Sequence, residues 1–263
     1  TLSLRVLNRR DFAELEQARR HLERAIELDP ELAEPYVWLC FVRMRRSEMA
    51  LALEAGRRSV ALRPDLAQAQ YFLGLAYVVS CETGECNYET GVSHLMRAVN
   101  LNPNWHPSWF VLSLAALLNG DYGSSATFAS DLIQKANAPG APFVGGEILL
   151  ASTWIRQGKS APARQILADF LSRMEVSEHM YRDAMTAVAA CTLGELEIRE
   201  GNFDDALVPF RRSWQTLQEH TRIVAHKRIT ARTLTGMAAV DHALGRRSRV
   251  RRTARQAPTG RTV

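Results

Sequence analysis

One phrase, repeated three times, decides the fold of this chain. It reads ARRHLERAIELDP at 18–30, ALEAGRRSVALRP at 52–64 and GVSHLMRAVNLNP at 91–103. Small or apolar residues at its first, fifth and eighth positions lie on one face of a helix, because they are four and three residues apart. The closing proline ends that helix, since it has no N–H donor and disfavours helical geometry in the preceding residue. The phrase therefore predicts three amphipathic helices with the same end point.

The spacing of these phrases indicates a repeat. Their prolines are 34 and 39 residues apart, and Leu39-Cys40 and Leu73-Gly74 fall in the helical segments between them. Small residues at Cys40 and Gly74 would face Ala52 and Gly91, so that two antiparallel helices can approach closely. The pattern resembles the tetratricopeptide repeat family, whose period is about 34 residues. The resemblance implies an all-α, right-handed superhelical solenoid of antiparallel helix pairs.

Later parts of the chain lose the proline but keep turns of the kind that join two repeat helices. Gly120-Asp121-Tyr122, Gly158-Lys159-Ser160 and Gly201-Asn202-Phe203 each follow one predicted helix and precede another. The third copy, with Gly194 before the turn and Ala206 and Phe210 after it, reproduces the family spacing almost completely. These turns extend the resemblance beyond the proline-containing part of the chain.

The sequence predicts one repeat domain followed by a tail. The domain covers residues 1–245, with about six units, and a last helix at 230–244 covers the exposed apolar face of the final pair. The stretches 139–142 and 172–181 are longer than the repeat requires, which predicts local irregularity there. Residues 246–263 contain seven arginines and almost nothing apolar, and they predict a basic, disordered tail.

Charge and hydropathy argue against two classes of partner. The net charge is +5, and removing the seven tail arginines leaves 5 − 7 = −2 for the rest of the chain. A nucleic-acid-binding fold would normally cluster basic residues in its folded part, so only the tail supports that alternative. The longest apolar run, Trp109 to Leu118, is ten residues long and too short to span a bilayer.

Cysteine usage favours a reducing compartment, and we therefore expect a cytoplasmic location. Four cysteines in a chain of this size do not make a disulfide framework. Cys81 and Cys86 lie in the insertion that lengthens one repeat; they could bind a metal together with His94, form a small disulfide, or remain free thiols in a solvated loop. We favour the solvated loop and predict no metal site and no cofactor.

No motif in the sequence indicates catalysis. Gly158-Lys159-Ser160 resembles the end of a phosphate-binding loop, but Thr153 stands where that motif needs a glycine, and a helix is predicted where it needs a strand. The seven histidines are scattered without a metal-binding pair, and no nucleophile motif is present. We predict that the chain is not an enzyme, has no catalytic residue and takes no small-molecule substrate.

The resemblance implies that the first helix of each pair lines a concave groove that binds another polypeptide. The corresponding positions here are Val37, Phe41, Arg45, Tyr71, Leu75, Phe110, Leu114, Ile148 and Ser152. The lysine and asparagine clamp that some family members use for an acidic C terminus is missing, which favours an apolar or aromatic segment or an amphipathic helix. The sequence thus predicts a protein-interaction scaffold, as the non-catalytic part of a larger signalling or regulatory protein. The alternative is a structural solenoid that associates with copies of itself.

Overall fold

A computed structural model describes residues 9–80, 87–136, 145–179, 181–219 and 226–245, and within these ranges all the regular structure is helical. This confirms the predicted all-α fold. Cys81, Cys86 and the arginine-rich tail at 246–263 lie outside the described residues. The helices are α1 (Arg9–Leu28), α2 (Ala33–Arg45), α3 (Met49–Leu62), α4 (Ala67–Ser80), α5 (Tyr88–Leu101), α6 (His106–Leu118), α7 (Tyr122–Ala136), α8 (Gly146–Arg156), α9 (Ser160–Glu175), α10 (Arg182–Arg199), α11 (Phe203–Glu219) and α12 (His226–Ala243).

The helices form two compact units. Unit 1 covers residues 1–138 and contains α1 to α7; unit 2 covers 139–263 and contains α8 to α12. The boundary falls at the start of the 139–142 spacer that the sequence marks as longer than the repeat requires. The predicted final helix is α12, which begins at His226 rather than Thr230 and packs against both α10 and α11. The single domain over 1–245 stays a prediction.

Helical hairpins build both units, and the predicted turns join their helices. Gly120, Gly158 and Gly201 have φ values of 81°, 76° and 82°, in the left-handed region that favours glycine. In each turn the next residue donates its N–H five residues back, as Asp121 does to the carbonyl of Ala116 at 2.9 Å. Ser47 takes the same left-handed conformation between α2 and α3, with φ 63°, where the sequence offers no glycine. One turn geometry therefore recurs in both units.

Small residues allow the two helices of a hairpin to cross closely, as the sequence predicts for α4 and α5. A Cβ placed on Gly74 would lie 2.8 Å from the carbonyl oxygen of Gly91, and one on Gly91 would lie 3.1 Å from the carbonyl oxygen of Gly74. The crossing of α6 and α7 uses serine instead. The hydroxyls of Ser113 and Ser125 each donate to the other residue's carbonyl oxygen at 2.9 Å. Both buried hydroxyls are thereby satisfied at a crossing where bulk is excluded.

The carbonyl oxygen of each of the three repeat prolines also accepts a hydrogen bond from a side chain six residues further along. Tyr36 donates its hydroxyl to the carbonyl oxygen of Pro30 at 3.3 Å. Gln70 Nε2 donates to Pro64 at 2.8 Å and Trp109 Nε1 donates to Pro103 at 2.9 Å. The three donors are a tyrosine, a glutamine and a tryptophan. Because they differ chemically, a sequence pattern based on residue similarity does not reveal this recurring hydrogen bond.

Ion pairs attach α1 to the first hairpin. Glu16 receives hydrogen bonds from Arg19 at 2.6 Å within α1 and from Arg46, just after α2, at 2.7 Å. The hydrogen bond from Arg19 is the largest cause that lowers the pKa of Glu16 from 4.5 to about 2, with further contributions from Arg20 and the charge of Arg46. Because the folded-state pKa lies below the unfolded one, the stabilisation is present above pH 4.5 and is lost as the pH falls towards 2.

We therefore expect Glu16→Gln to reduce stability at neutral pH and to lose this effect in acid. Urea denaturation of both proteins at several pH values from 7 to 3 measures the difference. It should be largest above pH 4.5 and shrink continuously below it. Glu27→Gln is the matched control, since Glu27 pairs with Arg24 on the exposed side of α1 and such pairs contribute little. A stability difference between Glu16→Gln and the parent protein that does not change with pH would show that the ionised Glu16 carboxylate is not its cause.

Candidate partner-binding surface

In unit 1 the first helices of successive hairpins contact one another. Helix α2 packs against α4, and α4 contacts α6, while α3, α5 and α7 complete the hairpins. A residue at one position of α2 therefore has its equivalent close by on α4. This arrangement brings together side chains that are about one repeat apart in sequence.

A continuous set of aromatic contacts crosses this layer. We define the aromatic strip as Trp38, Phe41, Tyr71, Phe72 and Trp105. The ring centroid of Phe72 lies 5.6 Å from that of Trp38, 5.5 Å from that of Phe41 and 4.9 Å from that of Tyr71. The Tyr71 and Trp105 centroids are 5.9 Å apart, at an interplanar angle of 72°. Tilted and edge-to-face packing of this kind fixes the rings relative to one another.

Exposure distinguishes the members of the strip. Trp38 is 45% exposed, a large fraction for a tryptophan, whereas Phe72 is buried beneath its neighbours. Phe41 and Tyr71 are half-buried and pack against the hydrophobic core of unit 1 with one side. Burial raises the pKa of the Tyr71 hydroxyl above its usual value. The strip therefore presents an apolar surface that rests on rigid helices.

The structure places the other predicted groove residues of unit 1 in differing surroundings. Leu75, Phe110 and Leu114 are half-buried, and Leu75 and Phe110 pack beside Tyr71 against the core formed by α4, α5 and α6. Arg45 is half-buried and has interaction partners. Val37 is only 1% exposed and belongs to the core. It supports the surface from beneath and offers almost no contact area itself.

Ile148 and Ser152 lie on α8 and therefore belong to unit 2. Ile148 is 7% exposed and packs in the hydrophobic core with Leu167 and Phe170 of α9. The Ser152 hydroxyl donates to the carbonyl oxygen of Ile148 at 2.7 Å. Their part in partner binding stays a prediction.

Three members of the strip, Trp38, Phe72 and Trp105, were not among the predicted groove residues. Trp38 and Phe72 are 34 residues apart, so they occupy equivalent positions of consecutive repeats. Trp38 and Phe72 each lie one residue after a predicted groove residue, Val37 and Tyr71 respectively. An aromatic pair at one repeat period is the signal that could have revealed it.

Among the described residues, metal-ligating side chains are dispersed and the two cysteine thiols are buried. No group of three or more metal-ligating side chains comes together among them. The thiols of Cys40 and Cys191 are buried, and burial raises their pKa values to about 12 and about 11. Both therefore stay protonated at neutral pH and are poor nucleophiles. His94, which the metal-site alternative would use together with the two insertion cysteines, contacts Gln70 Oε1 through Nδ1 at 2.7 Å.

The Gly158-Lys159-Ser160 turn joins two helices, whereas a phosphate-binding loop follows a strand. It follows the helix α8 and precedes α9, and Ser160 donates its hydroxyl to Glu200 at 2.7 Å. In the part of the chain that the structure describes, no helix combines the length and apolar character needed to cross a membrane.

Solved structures share the fold at low sequence identity. A tetratricopeptide repeat protein from Parabacteroides merdae aligns over 96% of this chain and 89% of its own, with 14% identity and a TM-score of 0.69. Yeast Tom70 aligns over 94% of this chain with 12% identity and a TM-score of 0.67, and the chain spans about half of Tom70, 48%. YrrB, described as a TPR protein with an unusual peptide-binding site, aligns over 76% of this chain and 94% of its own, with 16% identity and a TM-score of 0.50.

No family model matches the chain, and no curated protein matches it in sequence. The structural likeness agrees with the three proline-ended phrases, the left-handed glycine turns and the close helix crossings described above. This chain has the all-α helical-repeat fold of the tetratricopeptide repeat proteins.

Proposed function

We propose that this chain is a non-catalytic interaction module that binds another polypeptide on the aromatic strip of unit 1. The observation that carries the proposal is Trp38, a tryptophan exposed on a first helix and fixed by ring contacts to Phe41 and Phe72. Tryptophan and tyrosine are the side chains that most often dominate binding energy at protein interfaces. A rigid aromatic surface also loses little conformational entropy when a partner covers it.

The chemistry of the strip favours an apolar or aromatic segment as partner. All five of its side chains are aromatic, and none carries a charge. An acidic peptide would leave its carboxylates unpaired against these rings, which costs free energy on desolvation. A peptide-binding site is known for one protein of the same fold, YrrB, and lends support by analogy only.

Trp38→Ala should weaken peptide binding by about tenfold or more, because it removes an exposed interface tryptophan. Peptides selected from a random display library on the full chain provide the ligands, and fluorescence anisotropy provides the affinities. The circular dichroism of the variant should remain that of the parent protein, since the side chain is 45% exposed.

Leu51→Ala is the matched control. Leu51 is also 45% exposed, but it lies on α3, a second helix outside the strip. Selected peptides should bind this variant as they bind the parent protein. Equal affinity of both variants would contradict the proposed surface. Failure to select any peptide, together with a mass that rises with concentration in sedimentation, would favour the self-associating solenoid instead.

A further inference from the structure

We propose that Asn119, in the turn between α6 and α7, is a site of spontaneous deamidation to aspartate and isoaspartate. Asparagine is among the residues that degrade most readily with time and heat. Asn119 is the one asparagine of the sequence that precedes a glycine, and both it and Gly120 are exposed. The modification does not depend on the aromatic strip, so it stands or falls separately from the proposed function.

The reaction needs only these two residues and water. The Gly120 amide nitrogen forms a bond to Cγ of Asn119, the bond from Cγ to the side-chain nitrogen breaks, and ammonia leaves with the proton that the amide gives up. Water then opens the resulting succinimide ring at one of its two carbonyl carbons, which gives either aspartate or isoaspartate. Glycine favours the first step, because it has no Cβ to crowd the attacking nitrogen or restrict the backbone rotation.

Three turns of the protein share one backbone geometry, but their side chains differ in reactivity. Asn119 has φ −80° and ψ −4°, Gln157 has −81° and −1°, and Glu200 has −84° and −3°. Each precedes a glycine in the left-handed region. Glutamine would have to close a larger ring, which forms more slowly, and glutamate has no side-chain amide to lose. Asn119 is therefore the reactive member of the three.

The turn has to open before the ring can close. With ψ near 0° at Asn119, the Gly120 nitrogen points away from the side chain, and its N–H donates to the carbonyl oxygen of Leu117 at 3.3 Å. This bond is longer than the neighbouring one from Asp121 to Ala116, at 2.9 Å. An exposed turn opens at a small fraction of the free energy of global unfolding, because few contacts break. Deamidation should therefore proceed in the folded protein, more slowly than in the unfolded chain.

The two products should affect unit 1 differently. Aspartate leaves the main chain unchanged, and a carboxylate fits this turn position, since Glu200 occupies the equivalent one and accepts a hydrogen bond from Ser160 at 2.7 Å. Isoaspartate lengthens the main chain by one carbon atom. The longer chain displaces the Asp121 N–H from the carbonyl oxygen of Ala116, which closes the turn in the unmodified protein. We therefore expect isoaspartate, and not aspartate, to loosen the α6–α7 hairpin.

The test incubates the full chain without denaturant at mildly alkaline pH and follows its proteolytic peptides by mass spectrometry. The peptide that contains Asn119 should lose its amide with time. Peptides that contain Asn104 and Asn202 are the internal controls, because both residues are exposed but precede Trp105 and Phe203 rather than glycine. They should stay unmodified over the same period.

Two outcomes would overturn the site. If the amide of Asn119 persists in the folded protein while the chain unfolded in urea loses it, the native turn protects the residue. If Asn104 or Asn202 reacts as fast as Asn119, the following glycine plays no part.

Urea unfolding tests the consequence of the modification. The midpoint of the incubated protein should fall below that of fresh protein, whereas fresh Asn119→Asp should unfold like the fresh parent. Incubated Asn119→Gln is the matched control, since Gln157 shows that glutamine fits this turn. It should keep its midpoint. An equal fall for incubated Asn119→Gln would show that the loss of stability arises elsewhere, and an unchanged midpoint for the deamidated parent would overturn the predicted effect of isoaspartate.

Discussion

Gly236→Ala is expected to lower the free energy of unfolding of unit 2 by about 3 kcal/mol, the upper part of the range for overpacked cores. A Cβ on Gly236 would lie 2.2 Å from Cζ and 2.5 Å from Cε1 of Phe210. The ring has little room to move away, because Phe210 is fully buried and its other side faces Gly194 of α10. A Cβ on Gly194 would lie 2.8 Å from the ring. Phe210 thus reaches from α11 to two glycines on neighbouring helices.

Urea denaturation followed by circular dichroism measures this effect. The double variant Gly236→Ala/Phe210→Leu should recover part of the lost stability, because leucine removes the ring atoms that meet the new methyl group. Phe210→Leu alone should be destabilised by the cavity it leaves. Additive effects of the two substitutions would show that the ring and Gly236 do not meet.

Gly74→Ala should destabilise unit 1 by about 2 kcal/mol. Its Cβ would lie 2.8 Å from the carbonyl oxygen of Gly91 and 3.0 Å from the amide nitrogen of Leu95. These are backbone atoms of α5, so α4 and α5 would have to move apart as whole helices. The cost exceeds the gain of about 1 kcal/mol that alanine brings to a helix interior. Thermal and urea unfolding of the full chain would measure it.

Gly123→Ala provides the control for both glycine substitutions. Gly123 lies in α7, and the nearest atom to its added Cβ would be Asp121 Oδ1 at 3.6 Å, an ordinary contact. With no close neighbour, alanine should stabilise the protein by about 0.5 to 1 kcal/mol through helix propensity alone. A loss of stability at all three positions would show that helix crossing is not the cause.

The first helices illustrate how far the sequence could predict the candidate site. The repeat spacing identified α2, α4 and α6 and placed Phe41 and Tyr71 on the surface that the strip occupies. The same spacing selected Val37 and Ile148, which the structure buries in the cores of two different units. Helical periodicity gives the direction of a side chain from its own helix, but not which neighbouring helix covers it.

Local interactions explain what the sequence determined by itself. The helix ends two residues before Pro30, Pro64 and Pro103 follow from backbone preferences that act within a few residues, and so do the turns at Gly120, Gly158 and Gly201. The close approach of α4 and α5 follows from missing side chains at Gly74 and Gly91. Each of these features depends on residue type and short spacing, and all can therefore be derived from the printed chain.

Only the tertiary structure decided how residues far apart in sequence meet. It joined Trp38, Phe72 and Trp105 into one strip, left the Trp105 donor without an acceptor, and set Phe210 between Gly194 and Gly236. These contacts depend on how helices pack in three dimensions, where a shift of one ångström separates a close contact from an open space. Packing and burial are properties of the assembled hairpins, and the sequence of any single helix does not contain them.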